Sequence, residues 1–145
     1  MLMPFYVCIK TLDTGKTWYT SSDVRLGNDW AWYGGDSGGS VDVWKRDGHG
    51  SLVRRKRWSK VHSLAISGMF LVPSQNFLVT LSFDNVAHVL DSLSGSVFMT
   101  IQNQNRARFT GGCWDQGFEQ MILADAKGGM EAHNVYVERR IWVGK

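Results

Sequence analysis

The chain has 145 residues, 43% of them hydrophobic and 20% charged, with a formal net charge of +3. That balance fits a globular protein with a real core, and two prolines with no low-complexity tract argue against disorder. The longest apolar stretch, Leu64 to Val72, is about half the ~20 residues a membrane helix needs and is interrupted by Ser67 and Gly68.

The N-terminal segment, Met1 to Lys10, carries a short apolar run without a basic region before it or a small-residue cleavage site after it. It reads as a strand over Phe5–Lys10 rather than a signal peptide. Further strands are expected at Thr17–Ser21, Asp23–Leu26, Trp30–Gly34, Ser40–Trp44, Leu52–Arg57, Leu64–Leu71 and Phe77–Ser82. The series continues with Ala87–Leu90, Val97–Ile101, Phe109–Trp114, Met121–Ala124, Met130–Asn134 and Glu138–Val143. Gly, Asn, Asp and Ser clusters separate these short apolar runs, and helical periodicity is nearly absent, which is the pattern of antiparallel strands and tight turns. Sixteen glycines and 12% aromatic residues agree with an all-β fold.

Three segments repeat one design. Ser37 to Lys45, Phe83 to Asp91 and Ala126 to Asn134 each place a turn before a strand that ends in a large side chain and then a polar residue. The turn positions 38, 84 and 127 are 46 and 43 residues apart. A period in the forties made of four short strands is that of propeller blades. The middle unit resembles a WD40 repeat. His62 stands at the family's histidine, with Val61 in place of the preceding glycine. Ile66, Met69 and Leu71 fall on inward positions of the first strand. Phe77 to Thr80 match the second strand, Asp84-Asn85 the aspartate turn, Val89-Leu90-Asp91 the Trp-Asp ending, and Ser92 to Gly95 the following turn. The flanking units match with substitutions. Gly38 and Lys127 replace the aspartate, Asn105 the histidine, and His133 the tryptophan.

The resemblance implies an all-β propeller segment of about three four-stranded blades, at 19–60, 61–103 and 104–145, with the end of a preceding blade at 1–18. A ring usually needs four to eight blades. An incomplete propeller is therefore expected, either part of a longer protein or closed by self-association or a partner. The implied function is a non-catalytic scaffold that assembles proteins on its faces and edges, with no cofactor and no metal. The resemblance also implies a structural hydrogen-bond network of His62, Thr80 or Ser82, and Asp84. Leu90 cannot supply the indole donor that completes it. The segment Asn105 to Gly111 followed by Trp114-Asp115 is similar to WD-repeat proteins of cilia and flagella. Cytoplasmic location, with a cilium or flagellum as one possibility, is the corresponding expectation. Cys8 and Cys113, without metal-ligand spacing, read as reduced, half-buried intracellular thiols.

Four other motifs invite a chemical reading. Gly35-Asp36-Ser37-Gly38-Gly39 is identical to the nucleophile segment of trypsin-like serine proteases. A hydrolase using Ser37 would need its histidine upstream, and none of the 36 residues before Ser37 is His. A turn between strands explains the segment better. Asp13-Thr14-Gly15-Lys16-Thr17 lacks the glycine a phosphate loop needs at position 10, which is Lys10, and no helix follows. The four histidines, at 49, 62, 88 and 133, have no metal-ligand spacing. Finally, seven basic residues between Lys45 and Lys60 face Asp47 alone, a local charge of +6. Arg54, Arg55, Lys56, Arg57, Trp58 and Lys60 form either a solvated outer edge or a contact for an acidic partner. Nucleic acid is the less favoured partner, because no aromatic ladder accompanies the charge.

Overall fold

A computed structural model describes residues 17–26, 30–135 and 139–144. The sequence readings at Phe5–Lys10, Cys8 and Asp13–Lys16 lie outside the described residues. So does Glu138, the first residue of the last expected strand.

The first sheet contains β1 (Tyr19–Arg25), β2 (Ala31–Asp36), β3 (Val41–Arg46) and β4 (Leu52–Trp58). The second contains β5 (Ile66–Val72), β6 (Phe77–Ser82), β7 (Val86–Asp91) and β8 (Val97–Gln102), with a 3₁₀ turn at Pro73–Gln75. The third contains β9 (Phe109–Asp115), β10 (Gln120–Asp125), β11 (Met130–Asn134) and β12 (Arg139–Gly144). Each sheet is a four-stranded antiparallel meander in chain order. The two expected strands Thr17–Ser21 and Asp23–Leu26 are one strand, β1. The Ser21-Ser22-Asp23 cluster makes no turn, because all three residues pair in continuous register with β2.

Period-2 side-chain alternation gives each sheet two faces, and neighbouring sheets bury them against each other. Ala31, Tyr33, Val41 and Val43 of the first sheet meet Ile66, Met69, Leu78 and Leu90 of the second. On its other face the second sheet presents Val79, Leu81, Ala87 and Val89, which pack with Phe109, Met121 and Leu123 of the third. In β5, Ile66 and Met69 are buried in the core shared with the first sheet and the partly buried Leu71 packs against it, while Val72 faces the core shared with the third. A bulge between Ile66 and Gly68 shifts the alternation by one residue.

The first strands of the sheets lie side by side. The Thr20 hydroxyl donates to the Ile66 carbonyl, and the Ser67 hydroxyl to the Phe109 carbonyl. The turn of one sheet also holds the entry to the next. His62 N–H donates to the Gly39 carbonyl, and Asn103 N–H to the Asn85 carbonyl, both at 2.9 Å. The structure therefore repeats its joints as well as its strands.

Among the described residues, no helix is long and apolar enough to cross a membrane. Cys113 is exposed rather than half-buried, because it sits on β9 toward the face that no described sheet covers.

Candidate interaction face and the polar networks behind it

The turns between second and third strands follow one recipe. Asp36 Oδ1 accepts the N–H groups of Gly38 and Ser40, each at 2.9 Å. Asp125 Oδ1 accepts those of Lys127 and Gly129 in the same way. Asp47, in the β3–β4 turn, does so with His49 and Ser51. In each case the residue three places on is a glycine in the left-handed region, Gly39, Gly128 or Gly50. The second sheet departs from this. Ser82 takes the first aspartate's place, receiving Asp84 N–H, and Asn85 takes the glycine's, with φ of 66°. Sequence matching had set Gly38 and Lys127 opposite Asp84. The carboxylates that build the flanking turns stand two residues earlier, at Asp36 and Asp125.

The structure brings His62, Thr80, Ser82 and Asp84 together. His62 Nδ1 lies 3.1 Å from Asp84 Oδ2 and its Nε2 lies 2.9 Å from Thr80 Oγ1. The ring is buried and its pKa is lowered from 6.5, by burial foremost and against the pull of Asp84. A neutral ring beside a carboxylate donates from Nδ1, so Nε2 accepts the Thr80 hydroxyl proton. Ser82 Oγ turns to the Ala65 carbonyl at 2.8 Å. Leu90 is fully buried in the apolar core where the tryptophan would stand. Replacing His62 or Asp84 by Ala is expected to cost ~1–3 kcal/mol, as for a broken buried hydrogen bond. Because the His62 pKa is lowered, its contribution is complete above pH 6.5 and is lost as the pH falls through the lowered value. Urea melts between pH 7.5 and 5 check both points. Wild-type stability for both variants would rule the network out as a stabiliser.

In the third sheet Asn103, not Asn105, holds the His62 position by its backbone bond. Both amides reach the same carboxylate. Asn103 Nδ2 and Asn105 Nδ2 donate to Asp125 Oδ2 at 3.0 and 2.9 Å. Burial alone would raise the Asp125 pKa, but these donors and the turn N–H groups bring it down to about 2.

The first sheet holds a network that sequence reading missed. Arg57 bridges two carboxylates that are each 1% exposed, with Nη2 3.0 Å from Asp36 and Nη1 2.9 Å from Asp42. The Tyr19 hydroxyl donates to Asp42 at 2.7 Å and accepts the Trp44 indole N–H at 2.8 Å. Burial, then the Asp42 hydrogen bond, raises the Tyr19 pKa to about 12.

The basic run is consequently not one surface. Arg57 points into this network, and Arg54 lies 3.7 Å from Asp42 on the same face. Trp58 points to the other side, where its ring packs over Gly95 and 6.2 Å from Tyr33. The Lys60 ammonium donates to the Gly38 carbonyl, and that of Lys56 to the Leu93 carbonyl. Arg55 and Lys56 are exposed.

Ser37 lies in the β2–β3 turn, and its Oγ accepts Trp18 N–H at 3.3 Å. Both nitrogens of His62 are occupied by Asp84 and Thr80, and no histidine among the described residues bonds Ser37. Nothing there resembles a nucleophile with its base. Among the described residues, no group of three or more His, Cys, Asp or Glu side chains is placed to hold a metal.

A cleft of about 510 Å³ opens where the first strands of all three sheets begin. Trp18 and Tyr19 come from the first sheet, Ile66 and Phe83 from the second, Arg108 and Thr110 from the third. Trp18 is 67% exposed and Phe83 45%, and the Arg108 guanidinium stacks 4.8 Å over the Phe83 ring. Exposed aromatics beside an arginine form the composition that binding hot spots favour.

No protein-family model matches the sequence, and no curated protein is recognisably similar to it. Solved structures do match. The crystal structure of RRP9 WD40 repeats superposes on 92% of this chain with a TM-score of 0.79, at 14% identity. The fold is that of a WD40 propeller. The computationally designed Ika4 protein superposes on 93% of the chain with a TM-score of 0.74 at 11% identity, and the designed Ika8 protein on 87% with 0.65 at 13%. The chain spans 40% of the RRP9 structure, 77% of Ika4 and 36% of Ika8. On this WD40 frame, the three sheets are successive blades. The buried networks sit in the turns and at the joints between blades, and the cleft lies where their first strands start.

Proposed function

We propose that this chain is a non-catalytic protein-interaction scaffold and that the Trp18–Phe83–Arg108 cleft receives its partner. The observation that carries this reading is the exposure of two large aromatics and an arginine around one cleft that three blades build jointly. A folded chain exposes few such groups together without a use for them. The partner class that fits is a protein segment with an apolar side chain for the aromatics and a carboxylate for Arg108. The polar groups that look most catalytic are all spent on turns and joints. We further propose that the blades are part of a larger ring, completed by further blades or by another subunit, because a blade buries its faces only against neighbours. The likeness of Asn105–Gly111 to ciliary WD-repeat proteins makes the cilium or flagellum the first place to look for a tagged chain.

The basic run supports a second reading, in which an acidic partner contacts Arg54, Arg55 and Lys56 on the outer strand, where all three are exposed. The two readings separate in one experiment. A photo-crosslinking phenylalanine analogue is placed at Phe83, at Arg55 or at exposed Phe118 and irradiated in cell extract. The cleft reading expects a discrete protein adduct from position 83, lost on Arg108→Glu, and none from 118. Adducts from 55 alone would transfer the function to the basic strand. No position-specific adduct would overturn both.

A further inference from the structure

The joint between the first and second blades holds two histidines, and the Asp84–Thr80 network uses only His62. His88, on β7, lies with its ring 4.6 Å from that of His62 and tilted by 35°. His62 is buried and His88 half-buried. Both rings are also held by hydrogen bonds. His62 bonds Asp84 and Thr80, while His88 Nδ1 lies 3.0 Å from Thr100 Oγ1 and Val61 is a further backbone partner. The pair thus ties the chain that enters the second blade to β6, β7 and β8 of that blade. The same entry is fixed to the first blade by the His62 N–H on the Gly39 carbonyl.

Protonation opposes this arrangement in two ways. A neutral His62 accepts the Thr80 hydroxyl proton at Nε2. A protonated ring has no lone pair there, so the proton of the fully buried Thr80 loses its acceptor. Two charged rings 4.6 Å apart also repel each other where little water screens them. Burial foremost lowers the pKa of both rings from 6.5, and the neighbouring His62 lowers that of His88 further.

The surrounding charges offer one carboxylate for two protons. Asp84, in the β6–β7 turn, acts on both rings. Strands β5, β6 and β8 carry no acidic or basic side chain. Asp91, at the far end of β7, accepts the N–H groups of Leu93 and Ser94. In the first blade Asp36 is bridged to Arg57, and on the linker Lys60 holds the Gly38 carbonyl. Arg108 of the third blade lies over Phe83.

The next joint follows the same backbone plan without a titrating base. Asn103 N–H donates to the Asn85 carbonyl as His62 N–H does to Gly39. The side chains that reach the carboxylate there are Asn103 and Asn105, which stay neutral in mild acid. Asp125, with its pKa of about 2, stays charged.

We propose that the stacked His62–His88 pair makes the joint between the first and second blades an acid-sensitive switch, closed while both rings are neutral and opened by their protonation. The cleft straddles this joint, with Trp18 on one blade and Phe83 on the other, so opening parts its walls. That last consequence rests on the cleft being the partner site. Because both folded-state pKa values are lowered, the closed joint has its full advantage above pH 6.5 and loses it as the pH falls toward the lowered values.

Backbone hydrogen exchange of the full chain tests the switch, read at the His62 and Asn103 amides and corrected for the intrinsic pH dependence of exchange. Between pH 7.5 and 5.5 the protection of His62 should fall about a hundredfold, a factor of ten for each ring, and that of Asn103 should hold. His88→Gln and His88→Phe should each reduce the fall at His62 to about tenfold, because either removes one titrating ring while Phe keeps the stacking. Protection of His62 that ignores pH, an equal fall at Asn103, or a hundredfold fall that survives both His88 variants would overturn the proposal. Exchange is read without a partner, so the two readings fail separately. A pH-dependent joint with no adduct from position 83 at any pH rejects the cleft and keeps the switch. A pH-independent joint rejects the switch, whatever position 83 captures.

Discussion

Replacing Arg57 by Met is expected to destabilise the chain by about 3 kcal/mol, the lower end of the range for removing one partner of a buried ion pair. The lower end applies because Arg57 itself is 34% exposed, while both carboxylates it serves are at 1%. Methionine keeps the apolar stem and removes the charge. Asp36 and Asp42 then stand near each other without their shared cation. Tyr19 still donates to Asp42, and the turn N–H groups still hold Asp36, so the sheet is weakened rather than abolished. The corresponding fall in Tm is about 10 °C. The pH dependence should change too. Burial pushes the Asp36 pKa up, but the Ser40 N–H, the Arg57 guanidinium and the Gly38 N–H outweigh it and hold the group below 3.8. Its stabilisation is therefore full above pH 3.8 and lost as the pH falls through the lowered value. Without Arg57 the acid transition should move to higher pH. Adding Asp36→Asn and Asp42→Asn to Arg57→Met removes the stranded charges and should recover part of the loss. An Arg57→Met chain within ~0.5 kcal/mol of wild type, the range of ordinary surface changes, would show that the bridge does not stabilise the blade.

This bridge also shows where sequence reading stops. The strands were legible because alternation and Gly/Asp turns are local signals, and the blade repeat because turns recur 46 and 43 residues apart. Strand boundaries moved by at most two residues, apart from the two expected strands that merge into β1. The His62–Asp84 pair was legible because both residues stand at positions typical of the repeat. Arg57 gave no such signal. Within Arg54-Arg55-Lys56-Arg57 nothing distinguishes a side chain that enters a buried network from one in solvent. The bulge at Arg55 decides it, and that bulge depends on pairing with β3, a different segment of chain. Asp125 was overlooked for a related reason. Matching Lys127 to Asp84 drew attention to the wrong column, although an Asp followed three places later by Gly occurs at 36, 47 and 125 and was there to be read. The interaction cleft was invisible because Trp18, Phe83 and Arg108 come from three blades. Each is unremarkable in its own segment, and only the side-by-side first strands bring them together.

The joint between blades makes the second strong prediction. Gly39 has φ of +87°, which an L side chain rarely adopts. A Cβ there would lie 2.2 Å from the His62 carbonyl oxygen and 2.6 Å from that of Leu64. Both obstacles are backbone, so no rotamer change relieves them. The segment that would have to move carries His62, with its bonds to Asp84 and Thr80, and the N–H that donates to Gly39 itself. Gly39→Ala thus combines left-handed strain of roughly 1–2 kcal/mol with overpacking of roughly 1–3 kcal/mol. A loss of about 3–5 kcal/mol is expected, or failure to accumulate as soluble protein. Gly128 supplies the control. It occupies the matching place in the third blade with φ of +82°, yet nothing lies within 4 Å of its Cβ position. Gly128→Ala should therefore show the strain alone, about 1–2 kcal/mol. The difference between the two variants measures how tightly the first blade's turn is seated on the entry to the second. Equal losses in parallel urea melts would mean that backbone conformation accounts for both glycines and that the close seating of Gly39 on His62 contributes nothing.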